Sequence, residues 1–325
     1  MSLILSACGG GGGSTTSNTS GAAPATLASI NQGNYQTVAA TATSPVGDLM
    51  DLNGATSQLI SGVEVSTPPL SLASATTEIY KRFHGKGSRL ATGVVMTEQC
   101  SGGGSISIDE TSANSVTPAA GDRATLTFTN CKESNLPTLN GAATFRITNV
   151  SGTLGSTTYH FGLAATFDNF SFSDAAKKLA ITGDLLVSAS QNGSSTVNVG
   201  LSGSSLAVTT AVSGTTTNTY VLTAYSLSGT EANGVISMSG KYGLSGSSIK
   251  LGGSFAYNVE TLQPLVLSSS TGFPRSGSFI VRGAPAAVTV TALDATSVRI
   301  DYSEKGDGVV SSTNTMTWSA FDLLN

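Results

Sequence analysis

Charge is scarce in this chain. Only 10% of its 325 residues are Asp, Glu, Lys or Arg, against about 25% in ordinary domains. The formal net charge is −4, so the charge balance does not suggest binding to nucleic acid or to an anionic membrane. Histidine is rarer still, with His84 and His160 far apart in the chain. Two such histidines and three cysteines do not make a zinc ligand set. No apolar run approaches the roughly 20 residues of a membrane-spanning helix. There is no Gly-x-Ser-x-Gly nucleophile elbow. Trp318 is the single tryptophan and falls in a predicted terminal strand, so nothing points to the exposed aromatic platforms of sugar-binding sites.

Ser, Thr and Gly take the place of the charges, with 38 glycines in all. Hydrophobic residues still make up 39% of the chain, enough for a core. Thr and Val fit the pleat of extended sheet, so the composition suits an antiparallel β-protein. With Cys8 set aside, Cys100 and Cys131 remain as an even pair, which reads as a disulfide in an exported chain.

Near the N-terminus stands Leu5-Ser6-Ala7-Cys8, followed by the glycines Gly9 to Gly13. This stretch resembles a lipobox, the cleavage and acylation site of bacterial lipoproteins. The resemblance implies that residues 1–7 are a signal remnant and that Cys8 becomes the acylated N-terminus. Only Met1 to Ile4 precede the box, without the basic and apolar regions of a signal peptide, which points to a start further upstream. Residues 8–30 read as a flexible Gly/Ser/Thr tether, reaching about 25 Å as a coil. Gly9 stands where enteric lipoproteins kept in the inner membrane resemble one another in having Asp, which implies the outer membrane. Cys100-Ser101-Gly102-Gly103-Gly104 and Ala120-Gly121-Asp122, with Leu126-Thr127-Phe128 before Cys131, also look like Gram-negative lipoproteins. No activity follows from that likeness.

Residues 31–325 read as one β-rich domain. Tyr35, Val38, Ala39, Ala42, Val46, Leu49 and Met50 recur at helical spacing. They predict a helix over 34–52, capped by Asn34 and interrupted at Pro45. A second helix is expected over 70–84, from Leu72, Ala75, Ile79, Tyr80 and Phe83. It ends in the chain's only basic cluster, around Lys81 and Arg82, which reads as a solvated helix end. Strands follow from Leu90 onward. The clearest has Tyr159, Phe161, Leu163, Ala165 and Phe167 on one face. The apolar set then shifts to Phe170 and Phe172, which predicts a bulge near Asn169.

Short turns are expected at Gln191 to Ser194, Ser213-Gly214, Ala232 to Gly234 and Ser245 to Ser247. A longer connection is expected over Glu260 to Gly277, and Val309 to Trp318 reads as the last strand. No segment after Gly85 could form a βαβ crossover, so the sheet should be antiparallel. The expected architecture is mainly β: a large twisted antiparallel meander, as a half-barrel or a two-layer sandwich, with two short N-terminal helices.

Candidate chemistry is thin. His160 falls on the polar face of its strand, where a lone histidine is an ordinary surface residue. Ser247-Ser248-Ile249-Lys250 has the Ser-x-x-Lys spacing of penicillin-recognising enzymes, but it enters a predicted strand, where the two side chains face apart. Asp301, Glu304 and Asp307 near the last hairpin are weak calcium candidates, as are Asp109, Glu110, Asn114 and Asp122. Neither set has the loop spacing of an EF-hand, so no metal or other cofactor is expected. The reading is a non-enzymatic, membrane-anchored binding or carrier module for an apolar ligand or a partner protein. The alternative is a structural or adhesive surface protein without a pocket.

Overall fold

The computed structural model describes residues 26–49, 95–111, 119–132, 137–152, 156–173, 177–193, 196–212, 215–268 and 273–324. Cys8, most of the expected tether, the second predicted helix, Asn114 and the Ser213-Gly214 turn lie outside the described residues. Helix α1 spans Tyr35–Leu49. The first strands are β1 (Met96–Gln99), β2 (Ser105–Thr111), β3 (Arg123–Cys131), β4 (Thr138–Gly152) and β5 (Thr158–Ser173). Then come β6 (Lys177–Asn192), β7 (Thr196–Val212), β8 (Thr215–Ala232), β9 (Val235–Ser248) and β10 (Gly253–Ser268). The last are β11 (Ser276–Arg282), β12 (Ala287–Ala292), β13 (Ser297–Ser303) and β14 (Ser312–Thr317), followed by helix α2 (Trp318–Asp322).

All 14 strands form one antiparallel sheet in strict sequence order, which does not close. Each strand pairs with its chain neighbour because short turns link successive apolar alternations. The period of two then places apolar partners side by side on one face. Leu163 faces Val187, Val187 faces Leu201 and Leu201 faces Leu227. A second row runs through Tyr242, Val259, Val281, Val288 and Tyr302. Every residue in both rows is buried.

Helix α1 lies on the buried face, in contact with β11, β12 and β13. Val38, Ala39, Ala40 and Ala42 are each 0% exposed. The alanines of the helix let the strands approach closely. The Tyr35 ring sits 5.4 Å from that of Tyr302. Farther along the helix, the Tyr242 hydroxyl donates to the Ala42 carbonyl at 2.6 Å. The helix runs through Pro45 rather than breaking there. Proline deletes one helical hydrogen bond, and the tyrosine supplies a donor to a carbonyl of the same stretch. Asn34 acts one step earlier than a helix cap: its carboxamide oxygen accepts from the Asn31 N–H and its amide donates to the Ser29 carbonyl.

The predicted bulge is present. Pairing of β5 with β6 shifts between Phe167 and Phe170, and Asn169 adopts φ 46°. On the other side of β5, Gly141 has φ 85° and faces the Asn169 carbonyl, where a Cβ would collide. The shift turns Phe170 inward, 5.8 Å from Phe128 and 5.5 Å from Phe167, ring to ring.

Three local expectations are corrected. Ser245 to Ser247 is not a turn but part of β9, paired with β8 and β10. Gly246 is there because a Cβ would strike the Thr219 carbonyl; the turn lies at Ile249 to Gly252, where Gly252 takes φ 74°. Glu260 to Gly277 is not a single connection, since Leu265 to Ser268 pair with Met238 to Val235. Trp318 is not in a strand: the Thr317 hydroxyl accepts from the Ala320 N–H and caps α2, which Trp318 begins.

Cys100 and Cys131 are joined, with Cα atoms 5.4 Å apart and both sulfurs buried. The bond spans β2, which lies between β1 and β3. The backbones on either side also pair, Gly102 N–H to Lys132 carbonyl and Lys132 N–H to Gly103 carbonyl. Replacing both cysteines by serine should lower unfolding stability by about 3–4 kcal/mol, the loop-closure value for this span. Denaturant titration of the two proteins checks this, together with the absence of free Cys100 and Cys131 thiols in the oxidised wild type.

Candidate functional site

A largely apolar concavity arises where the regular alternation fails. Along β10 the pairing with β9 jumps from Glu260 opposite Lys241 to Leu265 opposite Met238. Thr261, Leu262, Gln263 and Pro264 therefore stand against only Gly240 and Ser239. A proline cannot donate to a ladder, so a bulge is where a strand tolerates it. The Gly240 N–H stays satisfied because it donates to the Thr261 hydroxyl at 2.8 Å. Leu262 is turned out to solvent, 48% exposed.

Beside this bulge the sheet leaves a cavity of about 200 Å³. Leu227 is the last side chain of the row from Leu163, because its partner on β9 is Gly240. The Leu227 side chain covers Gly240, where a Cβ would collide with it, and the space beyond is bordered by Met238, Leu265, Phe279 and Thr43 of α1. Phe273, Trp318 and Phe321 complete the wall. Its polar members are few: Thr43, Ser239, Thr261 and Asp322.

The aromatic wall is held in place. The Trp318 indole N–H donates to the Pro274 carbonyl at 3.0 Å and the Asp294 carbonyl at 3.1 Å. Its only polar group is thereby satisfied. Phe273 stacks on the indole at 6.0 Å with an interplanar angle of 4°, and Phe321 meets it edge-on at 5.7 Å and 89°. Asp294 in turn is fixed by accepting from the Thr296 and Ser297 N–H groups. Its carboxyl is held below the usual range, first by the Thr296 hydroxyl and then by these N–H bonds. Lining the cavity from below, Tyr242 is buried and its phenol is pushed well up.

The residues singled out from sequence lie elsewhere. His160 is exposed on β5 and borders a polar groove with Asn149, Ser188, Asn198 and Thr230. Ser248 ends β9, and Lys250 in the following turn donates to the Leu323 carbonyl at 2.9 Å, at the end of α2. Asp301 lies within β13 and accepts from Arg299 and Thr313, each at 2.8 Å. Asp307 accepts from the Val309 N–H and the Ser303 hydroxyl, which hold its carboxyl low. Glu304 begins the intervening loop, and its N–H donates to the Ser311 hydroxyl. Asp109 and Glu110 fall on opposite faces of β2, and Asp122 accepts from the Ala119 N–H. Among the described residues no group of three or more His, Cys, Asp or Glu is gathered as a metal site.

No protein-family model matches the chain, and no curated protein or solved structure matches it. The geometry therefore carries the functional argument alone. Sequence reading singled out Trp318 but missed Met238, Leu265, Leu267 and Phe273 as cavity residues. The signal available was Pro264 flanked by Val259, Leu265 and Leu267, an apolar alternation resuming beyond a residue that breaks pairing.

Three more tyrosines are shielded like Tyr242. Burial pushes Tyr159 and Tyr257 up to about 12, and pushes Tyr225 and Tyr242 further. The Asp184 charge adds to the rise at Tyr225. A phenol whose pKa is higher folded than unfolded holds its proton better in the native state. Stability is therefore intact below about pH 10 and falls as pH rises beyond it. Ultraviolet titration should show these four of the eight tyrosines ionising late, or together with loss of the β-sheet circular dichroism. Ionisation of all eight near pH 10 in a folded protein would contradict their burial.

Proposed function

We propose that this chain is a lipid-anchored, non-enzymatic binding module of the bacterial envelope that holds an apolar ligand in the cavity beside the β10 bulge. The cavity is the observation that carries the reading. An apolar void of about 150 Å³ in a protein core stays dry and accepts benzene. The space here, about 200 Å³, matches a single ring or a medium-length alkyl chain and falls short of a drug-sized ligand. Its lining offers aromatic faces and aliphatic ends, with hydroxyls at Thr43, Ser239 and Thr261 to orient a polar head. In this reading the sheet curves as a half-barrel about α1, and the helix fills the apolar trough except beside the bulge.

The anchor rests on Leu5 to Cys8 and on the glycine-rich stretch behind it. Acyl chains on Cys8 would contribute about 0.8 kcal/mol per buried CH₂. The tether would leave the module free to reorient above the lipid.

Trp318 is the chain's one tryptophan and it lines the cavity, so its fluorescence reports directly on occupancy. A brominated medium-chain fatty acid should quench it saturably. The double variant Met238→Phe with Leu265→Phe, which fills the space, should weaken that quenching about tenfold or more. Quenching that is linear in probe, or equal in both proteins, would exclude a ligand site here. The anchor is checked separately by intact mass of the protein from native membranes. The expected species begins at Cys8, carries added acyl mass and contains one disulfide.

A further inference from the structure

We infer that the end of the sheet carrying the β9–β10, β11–β12 and β13–β14 turns is a lipid-contact surface, held flat against the membrane. This deepens the proposed function and rests on it, because it names the lipid bilayer as the partner of one particular face.

The first observation is where the N-terminal chain enters. The Ala28 N–H donates to the Ala256 carbonyl, near the start of β10, and the Ala284 N–H of the β11–β12 turn donates back to the Ala28 carbonyl. The Tyr302 hydroxyl, near the end of β13, donates to the Ile30 carbonyl. Residues 28–30 are thus stitched to this end. Only 17 residues separate Thr26 from Cys8. With Cys8 acylated as proposed, a tether of that length, about 20–25 Å if it is a coil, would hold this end near the lipid.

The second observation is the surface itself. Among the described residues, the large hydrophobics with the greatest exposure are Ile249 at 84%, Leu323 at 79% and Val309 at 67%. Val310 adds 52%. Ile249 sits in the β9–β10 turn, and Val309 and Val310 in the β13–β14 loop. Leu323 follows α2, which starts at the other end of β14, and is not one of these tips. Alternate turns of a meander lie at one end, and Gly306 of the last loop lies close against the Pro285 carbonyl. Aliphatic side chains at turn tips have no sheet neighbour to pack on. Lys305 stands between the acidic Glu304 and Asp307 and Lys250 donates to the Leu323 carbonyl, so the aliphatic tips rather than basic charge would make the contact. Tips of this kind enter the acyl boundary of a bilayer without any helix crossing it.

The test uses the full chain with Cys8→Ser, so that no acyl group contributes. It should float with vesicles of phosphatidylethanolamine and phosphatidylglycerol, and keep doing so at about 0.5 M salt, where exposed charges are screened. The triple variant Ile249→Asp, Val309→Asp, Val310→Asp should partition about tenfold less or lower, since each aliphatic side chain taken from water contributes on the order of a factor of ten. Leu186→Asp, on an exposed position of β6, should leave partition unchanged. An unchanged melting temperature shows that the variants fold. Equal flotation of wild type and triple variant overturns the proposal. So does a chain that stays out of the vesicles, or that only self-associates through these tips. Native protein that is acylated, with an unacylated form that ignores vesicles, overturns the surface and leaves the anchor standing. Flotation by a protein that is never acylated in cells overturns the anchored setting while the surface itself stands.

Discussion

A single sheet with one apolar face has to cover that face, and the rest of this structure follows from how it is covered. The row from Tyr242 through Val259, Val281 and Val288 to Tyr302 would otherwise meet water. Helix α1 lies on it and is pinned at two points, ring against ring at Tyr35 and Tyr302, and carbonyl to phenol at Ala42 and Tyr242. Its run of alanines is what makes this geometry available, since larger side chains would hold the helix away from the strands. Burial of apolar area supplies the driving force, while the buried phenol of Tyr242 is satisfied by the helix it touches.

Departures from strict alternation give the sheet its local character. At Asn169 one extra residue turns Phe170 inward and assembles a cluster of phenylalanines. At Thr261 to Pro264 a larger insertion re-aims β10, and space opens beside Gly240 instead of closing. The same device therefore fills the core in one place and hollows it in another. The outcome depends on which side chains are near enough to occupy the room. Near Asn169 three phenylalanines are; beside the β10 bulge Leu227 covers Gly240 and the room beyond it stays open.

Much of the fold was legible because its causes are local. Alternation at Tyr159 to Phe167, parity loss at Asn169 and the Asn233-Gly234 turn each depend on residues adjacent in sequence. The misreadings share an opposite cause. Ser245 to Ser247 has turn composition, yet it is a strand because Gly246 must admit the backbone of β8. Pro264 reads as the start of a connection, yet β10 resumes beyond it because β9 is long enough to pair again. Trp318 continues an extended run, but Thr317 caps a helix and the indole finds two carbonyls from distant turns. In each case the deciding partner lies 20 or more residues away.

The sequence by itself determined the class of the protein: antiparallel, meandering, with a disulfide and a helix near its start. Period-two patterning, turn residues and an even cysteine pair act over short spans, so they need no knowledge of the whole. Only the tertiary structure decided where space would remain. A cavity is the difference between the volume that the backbone encloses and the volume that side chains from β8, β9, β10, β11 and both helices supply. That difference is a property of elements far apart in the chain and close-packed in space.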